Sequence, residues 1–188
     1  MQFNEARRIR TRDIVMRILI IASSGDISRR QGPPDGYAFR KAGITVHVLL
    51  PRPIRGGEFV AEIDGIRFHK SFVFPFPRLF LISHIFFGVL KTIKLLYIYE
   101  FDVIHGHSAI GGIIGVLSKI ITRKKIIVDF HYWEPSPGIL EVYQGKWTDK
   151  DIRLKISNVL VKFVASNSNL IVATSNKLKE DLKRKGIN

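Results

Sequence analysis

Short continuous apolar runs alternate along this chain with longer stretches in which apolar residues return at helical spacing. Arg17 to Ser23 (RILIIAS), Thr45 to Leu50 (TVHVLL), Asp102 to His105 (DVIH), Lys125 to Phe130 (KIIVDF) and Leu170 to Ala173 (LIVA) belong to the first kind. They are rich in branched side chains and read as strands buried on both faces. Pro51 would end the second of them. Glu58 to Ile63 and Ile66 to Lys70 flank Asp64-Gly65, a dipeptide that accepts the positive φ angles of a tight hairpin turn.

Helices are expected between these runs. Tyr37 to Ala42 is short and stopped by Gly43. Arg78 to Tyr99 is opened by Pro77, whose missing N–H costs nothing at a helix start. In it Ile82, Phe86, Val89, Ile93 and Leu96 keep helical spacing and would face the core, with His84, Lys91 and Lys94 on the other side. Phe80, Leu81, Phe87, Leu95 and Ile98 fall outside that stripe, so the helix is apolar nearly all round with a thin basic seam. Ala109 to Ile121 carries Gly111, Gly112 and Gly115, which permit close packing. Asp149 to Ala165 is expected to follow Thr148 as N-cap and to turn Ile152, Ile156, Leu160 and Phe163 inward. A last basic helix is capped by Ser175 and closed by Gly186. Strands alternating with helices imply an α/β, doubly wound, mostly parallel sheet with helices on both faces and one small β-hairpin. Residues 17–188 would form that domain, preceded by a basic, disordered arm over 1–16.

Composition narrows the function classes. The chain has 188 residues, 46% of them apolar, enough for a real core. With no cysteine there is neither a disulfide framework nor a thiolate metal site, which suits a reducing, cytoplasmic setting. The formal charge of +14 calls for a solvated basic surface or a partner of opposite sign: nucleic acid, an anionic membrane surface or a phosphorylated substrate. No module for nucleic acid is recognisable, and the aromatic residues lie in apolar runs away from the basic ones. The charge-free apolar piece from Leu79 to Leu90 is shorter than the roughly 20 residues a bilayer span needs.

Polar chemistry gathers where strands end. Ser23 to Asp26, His105 to Ser108, His131 to Glu134 and Thr174-Ser175 follow the carboxyl ends of the apolar runs, where open α/β sheets bind ligands. His105 and His107 stand two residues apart, on one face of a strand, and with His131 could make a three-histidine metal site. No fourth ligand has a diagnostic spacing, and His107 falls in the turn. A blander alternative makes one histidine a satisfied core residue and the other a helix cap. A helix N-terminus beside neutral imidazoles would also suit an anionic ligand.

The order RILIIASS, AFRKAGITVHVLLP, FDVIHGHSAIGGIIGVLSKI, KKIIVDFHYWEP, SNLIVATSNKLKEDLKRKGI resembles the N-terminal domain of family 4 glycosyltransferases over roughly Arg17 to Asn188. The Asp-to-His-x-His turn and the strand ending in Phe-His are the sharpest pieces. The resemblance implies the GT-B fold: two Rossmann-like domains, the first holding the acceptor and the second the nucleotide-sugar. It implies transfer with retention, no metal, and no cofactor beyond the nucleotide-sugar as co-substrate. It assigns His107 to the acceptor or transferred sugar, and His131 to the same cleft. Two departures stand out. Where the family has a Gly-Gly pair near the donor diphosphate, this chain has Gly32 followed by Pro33 and Pro34, and proline has no N–H to offer a phosphate. The chain also carries no second domain with the Glu-x7-Glu element that holds the donor.

The expectation is therefore the acceptor-binding half of a glycosyltransferase, inactive alone, whose acceptor is a saccharide or a lipid-linked molecule. His107 would act at the reaction centre with His131 beside it. Ser108 would share the turn, Trp133 and Glu134 would line the acceptor pocket, and Asp26 and Arg30 would reach acceptor or donor phosphate. The missing C-terminal domain, in cis or in trans, is the implied partner. The oily helix with its basic seam suits peripheral docking on the inner face of an anionic membrane. The alternative is a non-catalytic assembly module that recruits a separate donor-binding subunit.

Overall fold

The computed structural model describes residues 15–22, 34–53, 62–131 and 150–187. Seven strands form one sheet in the order β3-β4-β2-β1-β5-β6-β7. They are β1 (Arg17–Ile21), β2 (Thr45–Pro53), β3 (Glu62–Ile63), β4 (Ile66–Val73), β5 (Val103–His107), β6 (Lys125–Phe130) and β7 (Leu170–Ala173). Every pairing is parallel except β3 with β4. That antiparallel pair is the expected hairpin, and Asp64 and Gly65 take φ of 50° and 75° in its turn. The five helices described are α1 (Pro34–Lys41), α2 (Pro77–Tyr99), α3 (Ser108–Thr122), α4 (Lys150–Asn167) and α5 (Asn176–Arg184). Alternate residues of the strands feed two cores. One joins Leu19, Ile21, Ile104 and Ile126 to α2, α3, α4 and α5. The other joins Ile18, Ile20, Val46 and Val103 to Tyr37 and Phe39 of α1. The sheet is thus covered on both faces, in the Rossmann-like arrangement.

Several boundaries move for local reasons. β2 runs through Pro51 to Pro53 because β1 ends at Ile21, opposite Leu49. Beyond that point β2 pairs with β4 alone, so a proline N–H is not missed on the open side. β5 continues to His107, which is the last strand residue and not part of the turn. α1 begins three residues before Tyr37. The Ser175 cap is as expected, its hydroxyl accepting from the N–H of Leu178 at 3.2 Å. Thr148, Glu58 and the arm before Val15 lie outside the described residues. Among the described side chains of α4, Val161, Val164 and Ala165 are buried and Leu160 half-buried, while Phe163, expected inside, is exposed; the side chains of Ile152 and Ile156 lie outside those described.

The largest correction concerns α2. Ile82 and Phe86, expected in the core, are 66% and 58% exposed, and His84, expected outside, is fully buried. The inward face holds Ser83, His84, Thr92, Leu95 and Leu96. Ser83 and His84 find hydrogen-bond partners there, while the Thr92 hydroxyl has none among the described residues. The Ser83 hydroxyl accepts from Phe74 N–H at 3.0 Å and donates to the Phe80 carbonyl at 2.9 Å. His84 Nε2 lies 3.2 Å from the Ala22 carbonyl, and its Nδ1 lies 3.4 Å from the Ser71 hydroxyl. A helix apolar on all sides gives periodicity nothing to choose by, so small and hydrogen-bonded residues set the close face. The helix also runs unbroken past Lys91 and Lys94, and Leu79–Tyr99 is long and apolar enough to cross a membrane by length and composition, although 33% of it is buried in the fold.

Candidate functional site

β5 and β6 lie side by side in a register that sets His107 directly beside Asp129. His105 precedes His107 by two residues, and His131 follows Asp129 by two, so strand alternation turns all four toward one face. They meet at the carboxyl end of the parallel strands. The Asp129 carboxylate is 4% exposed and is the centre of the group. Its Oδ2 lies 2.8 Å from His107 Nδ1 and 2.8 Å from His131 Nε2. Its Oδ1 accepts the backbone N–H of Ser108 at 3.2 Å and lies 3.5 Å from His105 Nε2. The His107 and His131 rings are 4.5 Å apart between centroids. Burial pushes the Asp129 carboxyl up, but hydrogen bonding from His105 and His107 and their charge outweigh it, leaving the group well below the usual carboxylate range.

The turn that builds this site is tight. Ser108, first residue of α3, takes φ of 60°, in the left-handed region. Its N–H thereby points at Asp129, and the α3 N-terminus faces the carboxylate. Such a turn needs α3 to lie almost on the strands. A β-carbon on Gly106 would come within 2.7 Å of the Gly112 backbone, and one on Gly111 would run into the Ile21 carbonyl oxygen. On the far side, Thr174 at the end of β7 donates its hydroxyl to the Phe130 carbonyl at 3.2 Å and its N–H to the same oxygen. The edge strand is thus tied to the residue before His131.

Of the sequence-expected site residues, His107, Ser108 and His131 come together here. Asp26, Arg30, Gly32, Trp133 and Glu134 lie outside the described residues. The three-histidine constellation takes a different form: His105 is buried behind Asp129, its ring edge-on to Phe39 at 5.8 Å, and the half-buried pair is His107 and His131. Asp129 itself was missed. The available signal was an acidic residue inside an otherwise apolar strand, two positions before a histidine.

An α/β half with its chemistry on the strand-end rim is what a GT-B glycosyltransferase domain provides, and the sequence gives the family directly. The chain belongs to glycosyltransferase family 4, whose model matches residues 37–188. It is an N-terminal-type domain of that family. No curated protein matches it by sequence. Among solved structures, sucrose-phosphate synthase from Thermosynechococcus elongatus superposes with a TM-score of 0.69 at 16% identity, over 92% of this chain and 45% of that one. A UDP-N-acetylglucosamine 2-epimerase, so described for Listeria monocytogenes, gives 0.55 at 9% identity over 92% of this chain and 43% of its own. The E. coli trehalose-6-phosphate structure bound with UDP-2-fluoro glucose gives 0.52 at 12%, over 87% and 41%. At such identities the likeness is one of fold. The chain spans less than half the length of these three.

Proposed function

We propose that this chain is the acceptor-side half of a retaining glycosyltransferase, which moves a sugar from a nucleotide-sugar to a saccharide or lipid-linked acceptor. The observation that carries the reading is the pairing of His107 and His131 on one buried carboxylate, at the strand-end rim of a family 4 domain. Asp129 fixes the His107 ring by its Nδ1 edge. That leaves Nε2 to hydrogen-bond a sugar or acceptor hydroxyl near the reaction centre, with His131 beside it. A second domain completes the cleft and brings the donor, which fits a chain covering 45% of the T. elongatus synthase. One half cannot orient donor against acceptor, and orientation supplies much of the rate. The chain alone is therefore inactive. In the two-domain enzyme, His107→Ala lowers turnover by about a hundredfold or more. Turnover equal to the parent would remove His107 from the site.

The acceptor is lipid-linked in this reading, and α2 supplies the reason. Leu79, Ile82, Phe86, Leu90 and Tyr97 return at helical spacing and are all exposed, continuing the exposed Phe74 and Phe76 before the helix. This oily strip on a chain of net charge +14 suits the surface of an anionic bilayer. Vesicles rich in anionic lipid should sediment the protein at low salt, and Ile82→Gln with Phe86→Gln should release it. Because both side chains are exposed, the double variant keeps its stability within about 0.5 kcal/mol per site. Failure of the parent protein to sediment would leave a soluble saccharide acceptor.

A further inference from the structure

We propose that His107, Asp129 and His131 form a capture site for a divalent transition cation of the zinc type. His107 Nδ1, an Asp129 oxygen and His131 Nε2 lie within 4.8 Å of one another. Both imidazole nitrogens approach the same oxygen, Oδ2, at 2.8 Å. Zinc takes imidazole nitrogen and carboxylate oxygen at about 2.0–2.2 Å, so tetrahedral donors stand roughly 3.3 Å apart. The two nitrogen–oxygen gaps need to open by about half an ångström to reach that spacing, with the two nitrogens, within 4.8 Å of each other, settling to the same separation. The two imidazoles are 26% and 35% exposed, so their rings can swing outward without disturbing the core.

The carboxylate is prepared from behind. Its Oδ1 is occupied by the Ser108 N–H and faces His105 Nε2, which leaves Oδ2 as the forward-facing ligand. Carboxylate ligands held in this way by outer hydrogen bonds are a regular feature of metal sites. Two imidazole nitrogens favour zinc, copper, nickel or iron over magnesium or calcium, which prefer oxygen throughout. Three protein ligands on a partly open rim leave a fourth position for water or a substrate oxygen. Capture through Nδ1 would swing the His107 ring out of the position in which its Nε2 meets a sugar hydroxyl, so zinc inhibits. That consequence rests on the glycosyltransferase reading; the binding itself does not.

The six histidines all fall within the described residues, which makes the assignment testable. His47 and His69 form a separate histidine pair, their ring nitrogens 2.9 Å apart. The full chain, freed of metal, is titrated with Zn²⁺ by calorimetry and with Co²⁺ by visible absorption. One ion per chain is expected, with cobalt bands of a low-coordinate site lacking thiolate. His131→Ala, the more exposed change, and His107→Ala each weaken binding by at least about tenfold and erase the cobalt bands. His69→Ala leaves both unchanged. No binding, binding indifferent to His107 and His131, or binding lost with His69 overturns the site. If zinc binds as stated but His107→Ala leaves turnover of the two-domain enzyme intact, the capture site stands and the sugar-contacting role falls.

Discussion

Asp129 carries more of the site than any histidine. Two imidazole nitrogens, a backbone N–H and a third imidazole converge on one carboxylate that water scarcely reaches. Its charge is stabilised by those neighbours, so the carboxyl's lowered pKa goes with a fold that favours the ionised form. Asp129→Asn keeps the shape but removes the charge and one acceptor. It should cost on the order of 3 kcal/mol in urea denaturation, the usual size for breaking a buried ionic cluster by removing one partner. An unchanged midpoint would mean that the histidines are held by something else. The two half-buried histidines were legible because their sequence positions end apolar runs. Asp129 was not, because strand register decides which residue of β6 stands next to His107, and register is a property of two segments at once.

At the scale of elements, the strands were easier to find than the faces of the helices. Branched apolar runs bounded by glycine, proline and polar residues marked β1, β2, β5, β6 and β7, and Asp64-Gly65 marked the β3–β4 turn. α2 defeated the same approach. Its apolar residues surround the helix, and the buried side was chosen by Ser83 and His84, whose hydrogen bonds fit only that orientation, and by Gly88, where a β-carbon would stand 2.8 Å from Ile114 Cδ1. α3 shows the same closeness at the site itself. Gly111 leaves no room for a methyl group against the Ile21 carbonyl oxygen, which belongs to the central strand. Gly111→Ala must therefore push α3 off β1 and open the Ser108 turn. We expect a loss of about 2–3 kcal/mol, the upper part of the range for overpacking, seen as a lower thermal midpoint. Ala at an open helical position would instead stabilise. A rise in the midpoint would show that α3 does not lie this close.

Across the whole molecule, charge and burial act together against acid. His47, His69 and His84 each titrate at about 4 in the fold, below the ordinary 6.5, mainly because burial disfavours the charged ring. Neighbouring positive charge adds to this for the first two: His69, Arg67 and Arg17 around His47, and Lys91 and Arg67 around His69. The unfolded chain therefore binds more protons than the folded one between about pH 6.5 and pH 4. Stability is at its full value above 6.5 and falls as pH drops through that window. His84 contributes on the order of 3 kcal/mol of this loss, the product of its shift and about 1.4 kcal/mol per pH unit. Each proton taken up also adds to a chain already at +14, so self-repulsion deepens the loss at low salt. Urea titrations from pH 7 to pH 4 should show this fall. His84→Gln can still donate to the Ala22 carbonyl and accept from Ser71, and it should flatten the slope by close to one proton. Added salt separates the two causes, since screening reduces repulsion between exposed charges but leaves the cost of ionising a sealed imidazole. A slope that salt abolishes completely would place the acid sensitivity on the surface charge, and one that His84→Gln leaves untouched would remove it from the ring that joins α2 to the end of β1.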